Sequence, residues 1–290
     1  MKKAFIIQAF VFFILLSACS KFQKIVKDPN WKTRYEAAIK YYEGGDYYRA
    51  GALLDDLVPI LVGTSEAEKA RFYLAYCYFK QGQYIMSADK FKQFHDTYSR
   101  SEYAEEALYM YAYSQYMESP TTNLDQANTD IAINAFQEFI NRYPSSNYAK
   151  EASGMILELR YKLEQKAYNV AGLYQKLIPY RYDYSKASVI AYENFRKDYP
   201  DSKLQEEAAY HKIESQYILA QNSYYSKQQE RYQEVVNMYQ VFLEKYPKSS
   251  FLKKVEAMNE NALKKLANIQ STEQKQKANT AQNANTSNSN

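Results

Sequence analysis

The chain has 290 residues with a formal net charge of +4, from 37 Lys and Arg against 33 Asp and Glu. That charge is mild for the length and the two signs are interleaved, so a nucleic-acid footprint is not indicated. Gly and Pro number only 7 each, as expected of a nearly all-helical chain with few turns. The length suits one elongated repeat domain with flanks, or two globular domains. Tyrosine is the unusual residue, with 32 copies beside a single Trp. Its ring can be buried while its hydroxyl must stay wet or hydrogen-bonded, which suits helices lining a shallow groove.

At the amino end, Met1-Lys2-Lys3 is a short basic segment, followed by an apolar run over residues 4–16 broken only by Gln8. The run is shorter than the roughly 20 residues needed to span a bilayer and has the length of a signal-peptide core. It ends in Leu16-Ser17-Ala18-Cys19, which resembles the bacterial lipobox. The resemblance implies a signal peptide over residues 1–18 and a lipid on the Cys19 thiol, with Cys19 as the mature amino terminus. Several acyl chains, at about 0.8 kcal/mol per buried methylene, make such anchoring stable. Ser20 stands where an Asp would suggest retention in the inner membrane, and residues 21–27 carry no acidic cluster. By analogy with sorting rules, the expected location is the outer membrane, facing the periplasm. Residues 19–30 then form the lipidated linker.

Asp28-Pro29-Asn30 is a helix-start signal, with Pro expected in the first turn. Beyond it, residues 72–99 read as two helices. Leu74, Ala75 and Tyr78 share one side of the first, Gly82 breaks the chain, and Tyr84, Ser87, Phe91 and Phe94 follow on the second. This is the skeleton of a tetratricopeptide (TPR) repeat, in which small residues such as Ala75 and Ser87 let two helices approach closely. An offset of 37 residues back gives Tyr35, Ala37, Ala38, Tyr41, Gly45, Tyr47, Ala50, Leu54 and Leu57. The same offset forward takes Ala67, Ala70, Phe72, Ala75 and Tyr76 to Ala104, Ala107, Tyr109, Ala112 and Tyr113.

The second helices repeat an aromatic trio: Phe91, Phe94, Tyr98; Phe136, Phe139, Tyr143; Tyr192, Phe195, Tyr199; Tyr239, Phe242, Tyr246. Three-and-four spacing puts each trio on one stripe, read as packing between neighbouring repeats. Pro144, Pro200 and Pro247 follow the last three trios and stop their helices. The pattern predicts an all-α, TPR-type α-solenoid of about five helical hairpins over 31–269. The repeats are 31–61, 65–98, 101–143, 147–199 and 203–246, followed by a capping helix over 249–269. Ser65 with Glu68, Ser99 with Glu102 and Ser202 with Gln205 have the spacing of capping boxes. The third repeat carries a turn-rich insertion near residues 119–123, and the fourth a long first helix ended by Pro179, with a break near Gln165 as the alternative. Residues 270–290 are Gln, Asn, Thr, Ala and Ser-rich, and predict a disordered tail.

No catalytic constellation stands out. His95 and His211 lie in different repeats without ligand spacing, and no Gly-rich phosphate loop occurs. Cys77 sits in an apolar stretch between Tyr76 and Tyr78 and reads as a buried structural thiol, in a setting so unlike that of Cys19 that a disulfide is not expected. The chain is therefore expected not to be an enzyme, and to hold no metal and no cofactor beyond the lipid on Cys19. A binding face does emerge. Register places Tyr35, Ile39 and Tyr42, then Phe72, Tyr76 and Phe79, then Tyr109, Tyr113 and Tyr116 along the concave side of the first helices, and eight of these nine are aromatic. They predict a trough for a peptide with aromatic side chains; alternatively the rings only pack on each other.

The lipobox at Cys19, the five TPR units, the Tyr-Pro ends and the long middle helix together resemble the BamD family of outer-membrane lipoproteins. The resemblance covers residues 19–269. It implies a non-enzymatic scaffold of the β-barrel assembly machinery, bound to the Omp85-type barrel insertase through that protein's periplasmic POTRA domains. It also implies that the amino-terminal repeats receive the aromatic-rich C-terminal segment of unfolded outer-membrane barrel proteins, and that repeats four and five hold the insertase. The competing reading is a TPR lipoprotein adaptor that organises peptidoglycan enzymes, division proteins or a Tol-type complex.

Overall fold

The computed structural model describes residues 21–287; Cys19 and the lipobox lie outside the described residues. All regular structure among the described residues is helical, and the chain divides into two compact units at Tyr161 and Lys162. In the first, residues 21–26 form a short helical segment ahead of α1 (Trp31–Glu43), α2 (Tyr47–Leu57), α3 (Ala67–Lys80), α4 (Tyr84–Thr97), α5 (Ala104–Met117) and α6 (Ala127–Arg142). The helix α7 (Ala149–Leu177) is continuous through the boundary at residue 161, so the break near Gln165 is not made. The second unit continues with α8 (Asp183–Asp198), α9 (Gln205–Gln221), α10 (Tyr225–Lys245) and α11 (Leu252–Ser287).

In the first unit each helix from α1 to α6 packs on its sequence neighbour, and in the second the same holds from α8 to α11. These are antiparallel hairpins of TPR type, an all-α class in which a hairpin buries its second face only against the next one. The tight turns within the first two hairpins depend on Gly45 (φ 77°) and Gly82 (φ 73°). Each lies in the left-handed region, where a Cβ is disfavoured. The backbone N–H groups of Asp46 and Gln83 reach back to the carbonyls of Tyr41 and Tyr78, the Schellman arrangement that satisfies the last turn of α1 and α3.

The aromatic trios form the core. Phe91, Phe94, Phe136 and Phe139 are buried in the first unit, and Tyr192, Phe195 and Phe242 in the second, while Leu53, Leu54, Leu57 and Leu61 do the same work in the first hairpin. Ala38, Ala75 and Ala112 are buried at the helix contacts that demand small residues. Ser87 adds a polar role there. Its Oγ donates to the Ala75 carbonyl at 3.2 Å and lies 3.1 Å from the Ser114 Oγ, an arrangement echoed by Ser188 and Ser215 at 2.9 Å. Buried hydroxyls that find each other avoid a desolvation cost of about 1–3 kcal/mol.

Three expectations are corrected. The capping boxes do not form: α3, α5 and α9 begin at Glu66, Tyr103 and Leu204 with no side-chain cap. The serines that matter are Ser101, Ser146, Ser202 and Ser249, each three residues past a closing Tyr. Each hydroxyl accepts the N–H two residues on, at 3.0 Å, and donates to a glutamate of the preceding first helix: Glu68, Glu105, Glu164 and Glu206. At the amino end Asn30, not the proline, starts α1, its side chain accepting from the Lys32 N–H at 3.0 Å. Finally, α11 does not end near Ile269 but runs to Ser287. Ile269 is the last buried apolar side chain among those described, and the stretch from residue 270 to Lys277 is largely exposed Gln, Lys and Glu. Those residues propagate a helix by backbone propensity without any buried face.

Candidate peptide-binding face

The trough predicted from register lies on α1, α3 and α5 of the first unit, and α1 touches α3 directly. Seven of its nine residues (Tyr35, Ile39, Tyr42, Tyr76, Phe79, Tyr113 and Tyr116) are half-buried, so each keeps part of its side chain accessible. The other two are corrected. Phe72 and Tyr109 are buried, 3% and 5% exposed, and belong to the core. Phe72 packs on Phe91 and Phe94 and is covered by Tyr103, stacked at 4.6 Å between ring centres. Tyr109 packs on Phe139 and is covered in the same way by Tyr148 at 4.4 Å. Tyr210 and Phe251 repeat the stack at 4.5 Å in the second unit.

Tyr103, Tyr148 and Phe251 each lie two residues past a junction serine, so one short turn both staples a glutamate and lays a ring over the preceding first helix. That Ser-x-aromatic spacing is the signal that register along the first helices alone misses. Register also misses Tyr73, which stacks on Tyr42 at 4.0 Å and carries the Lys69 ammonium over its ring.

The surviving rings are in mutual contact. Tyr76 meets Phe72 edge-on at 5.2 Å and Phe91 at 5.0 Å, Phe79 meets Tyr113 at 5.7 Å, and Tyr113 stands between Tyr109 at 6.0 Å and Tyr116 at 5.8 Å. Each such pair is worth about 0.5–1.5 kcal/mol beyond area burial. Two of their hydroxyls cross to the next first helix, Tyr76 donating to Glu106 and Tyr116 to Glu158 at 2.8 Å, and Tyr109 lies near enough to Glu151 to feel its charge. Burial first, then these carboxylates, raise the phenols; Tyr116 is pushed up to about 12, and Tyr76 and Tyr109 higher. All three therefore stay protonated donors at any physiological pH. Tyr113 differs, because its hydroxyl has no hydrogen-bond partner among the described residues.

The remaining candidate groups are structural. His95 is buried, with Nε2 3.3 Å from the Tyr143 hydroxyl and Nδ1 3.4 Å from Asp96, and burial lowers its pKa so that it stays neutral. His211 lies flat against Tyr192 with Nδ1 3.1 Å from Glu214. Burial pushes the Cys77 thiol up to about 12, which leaves almost no thiolate at neutral pH. No group of three or more His, Cys, Asp or Glu among the described residues is placed to hold a metal ion.

A family described as "YfiO: Outer membrane lipoprotein" matches residues 27–181, more than half of the chain. The chain belongs to the YfiO outer-membrane lipoprotein family. The match takes in the whole trough and all of α1 to α6. Similar curated proteins include two named "Outer membrane protein assembly factor BamD". The one from Neisseria meningitidis serogroup B is 25% identical over 201 residues, 63% of this chain and 75% of that protein; the one from Neisseria gonorrhoeae is 24% identical over the same span. Among solved structures, a Podosopora anserina putative kinesin light chain with nearly identical TPR-like repeats aligns over 84% of this chain and 96% of its own. At 14% identity and a TM-score of 0.31, it adds nothing to the hairpin assignment. No helix among the described residues is long and apolar enough to cross a membrane.

Proposed function

We propose that this YfiO-family chain is a lipid-anchored scaffold of the outer-membrane β-barrel assembly machinery. It faces the periplasm from the outer membrane, tethered by acyl chains on Cys19, and acts by holding polypeptides, with no catalytic step and no cofactor. Membership of an outer-membrane lipoprotein family and likeness to proteins named as outer-membrane assembly factors support this role. In this reading the second unit binds the barrel insertase through its POTRA domains, while the first receives the aromatic C-terminal segment of unfolded barrel proteins. The observation that carries the substrate half is the row of half-buried rings from Tyr42 to Tyr116, a surface that offers ring edges at fixed spacing. Rings held by neighbours and by carboxylates lose little entropy on binding, so they contribute affinity cheaply.

Capture from detergent-solubilised membranes tests the assembly role: a POTRA-bearing barrel protein should co-purify, and recovery of peptidoglycan or division proteins in its place would overturn it. The trough has its own test. A synthetic peptide ending in alternating aromatic residues should bind the mature chain, and Tyr113→Ala should weaken it about fivefold, the equivalent of roughly 1 kcal/mol. Tyr113 is the informative position because its hydroxyl ties no helix to its neighbour. Unchanged affinity, with circular dichroism also unchanged, would assign the rings to packing alone.

A further inference from the structure

The turns that join the two helices of each hairpin in the first unit all lie on one edge. The α1–α2, α3–α4 and α5–α6 turns are held to each other there: the Gln81 Nε2, just past α3, donates to the Tyr47 carbonyl at the start of α2 at 3.2 Å. Phe79, in the last turn of α3, meets Tyr84 at 5.3 Å and Tyr113 of α5 at 5.7 Å. This edge carries an exposed apolar row. Tyr48 is 72% exposed, Ile85 68%, Leu124 58% and Met86 42%.

The amino end of the chain leaves the fold at the same edge. Phe22 stands edge-on to Tyr41, two residues before the end of α1, at 5.8 Å. The Arg49 guanidinium, beside Tyr48, lies 5.7 Å from the Phe22 ring. Cys19 precedes Lys21 by two residues, which even fully extended reach only about 7 Å. A lipid surface holding Cys19 is therefore within a side chain's length of this edge.

We infer that the hairpin-turn edge of the first unit rests on the phospholipid surface, with Tyr48, Ile85, Met86 and Leu124 seated at headgroup level. The inference depends on the anchor at Cys19 proposed above and adds to it an orientation. The chemistry of the edge suits that occupant. Tyr is favoured at membrane–water interfaces, where its ring sits among acyl carbons and its hydroxyl among headgroups. Lys21 is exposed beside this edge, and Lys40 and Lys80 are exposed near the ends of α1 and α3; Glu43, Glu118 and Asp125 lie on the same side, and Arg49 is paired with Asp46 at 2.9 Å. The two signs are close to balanced there, so the exposed apolar row and not net charge carries the contact. Anchored by this edge, the first helices stand with their axes crossing the membrane plane, and the trough opens sideways to chains arriving along the surface.

The test replaces residues 1–19 with a hexahistidine tag, so that the whole remaining chain is held at Ser20 on vesicles of phosphatidylethanolamine and phosphatidylglycerol containing a nickel-chelating lipid. A fluorophore is placed by Met86→Cys, or by Val62→Cys in the α2–α3 turn of the opposite edge, where Val62 is 66% exposed; buried Cys77 is not labelled in the folded chain. Lipids carrying a nitroxide near the headgroup should quench position 86 at least twofold more than position 62. Adding Tyr48→Ser and Ile85→Ser should abolish the difference. Equal quenching at the two positions, or none at either on chains that float with the vesicles, would overturn the inference. Because the tag supplies the tether, the result does not depend on acylation, which the mass of the mature chain reads separately.

Discussion

Phe91→Ala should lower the stability of the first unit by about 3–5 kcal/mol, a large share of the 5–15 kcal/mol that holds a typical domain together. The side chain is fully buried, with Phe72 at 5.9 Å and Tyr76 edge-on at 5.0 Å. A change of that size should appear as a fall in melting temperature of about 6 °C or more, at about 2–8 °C per kcal/mol for domains of this size range. Thermal unfolding monitored at a helical wavelength reads it. Ile85→Ala is the control; Ile85 is exposed, and its removal should cost under about 0.5 kcal/mol. Phe91→Ala should also weaken peptide binding at temperatures where the chain remains folded, because Phe91 is the floor on which Tyr76 stands. A loss below about 1 kcal/mol would mean that the aromatic trios are not the principal core.

Local pattern makes the hairpins legible, and non-local contact makes the exceptions. Gly82 and its counterpart Gly45 mark the turns because a left-handed backbone has few alternatives to glycine, and the trios show the buried stripe of each second helix by spacing alone. Phe72 and Tyr109 are misplaced by register for a physical reason. A first helix of this fold is covered on more than one side, by its own partner helix and by the turn that opens the next hairpin. Its hydrophobic period therefore cannot say which aromatic position faces outward. The ring that buries Phe72 is Tyr103, which comes from that later turn. The capping boxes fail similarly: Ser202 has an attractive local partner in Gln205, yet its hydroxyl goes to Glu164 of the preceding first helix while Gln205 bonds the carbonyls of Arg196 and Tyr199. Beyond Ile269, composition describes burial correctly but says nothing against a helix without a buried face.

The tyrosine excess has a structural account of the same kind. Tyr76 and Tyr116 each bury a ring beside their own hairpin and donate to a carboxylate on the next first helix. Phenylalanine would fill the volume and lose that link. These ties join the second repeat to the third and the third to the fourth by hydrogen bonds as well as by packing, which helps hold the row of rings in place. The fixed hydroxyls explain why Tyr76 is a poor probe of binding: its removal takes away a ring under the trough and a hydrogen bond between repeats together.

A chain starting at Ser20 should leave the membrane almost entirely. Cys19→Ser on the natural leader is the weaker experiment, since a leader that is cut only ahead of an acylated cysteine would stay attached and hold the chain by its apolar run over residues 4–16. Exchanging residues 1–19 for an ordinary cleaved secretion leader removes both anchors at once. What is left is peripheral, the turn edge with its handful of apolar side chains and any hold on the insertase, both of which an alkaline wash strips, and no helix among the described residues is able to cross a bilayer. One fourteen-carbon chain gives an association constant of only about 10⁴ M⁻¹, and each further chain adds about 0.8 kcal/mol per buried methylene, so the difference between two or three chains and none spans many decades of partitioning. The acylated chain should sediment with membranes through an alkaline carbonate wash and partition into detergent on phase separation; the chain starting at Ser20 should appear in the aqueous fraction in both. Retention of that chain through the carbonate wash would place the anchor somewhere other than Cys19. Release with peptide binding intact would separate the trough's affinity from its tether, leaving the lipid to supply location and local concentration while the rings supply recognition.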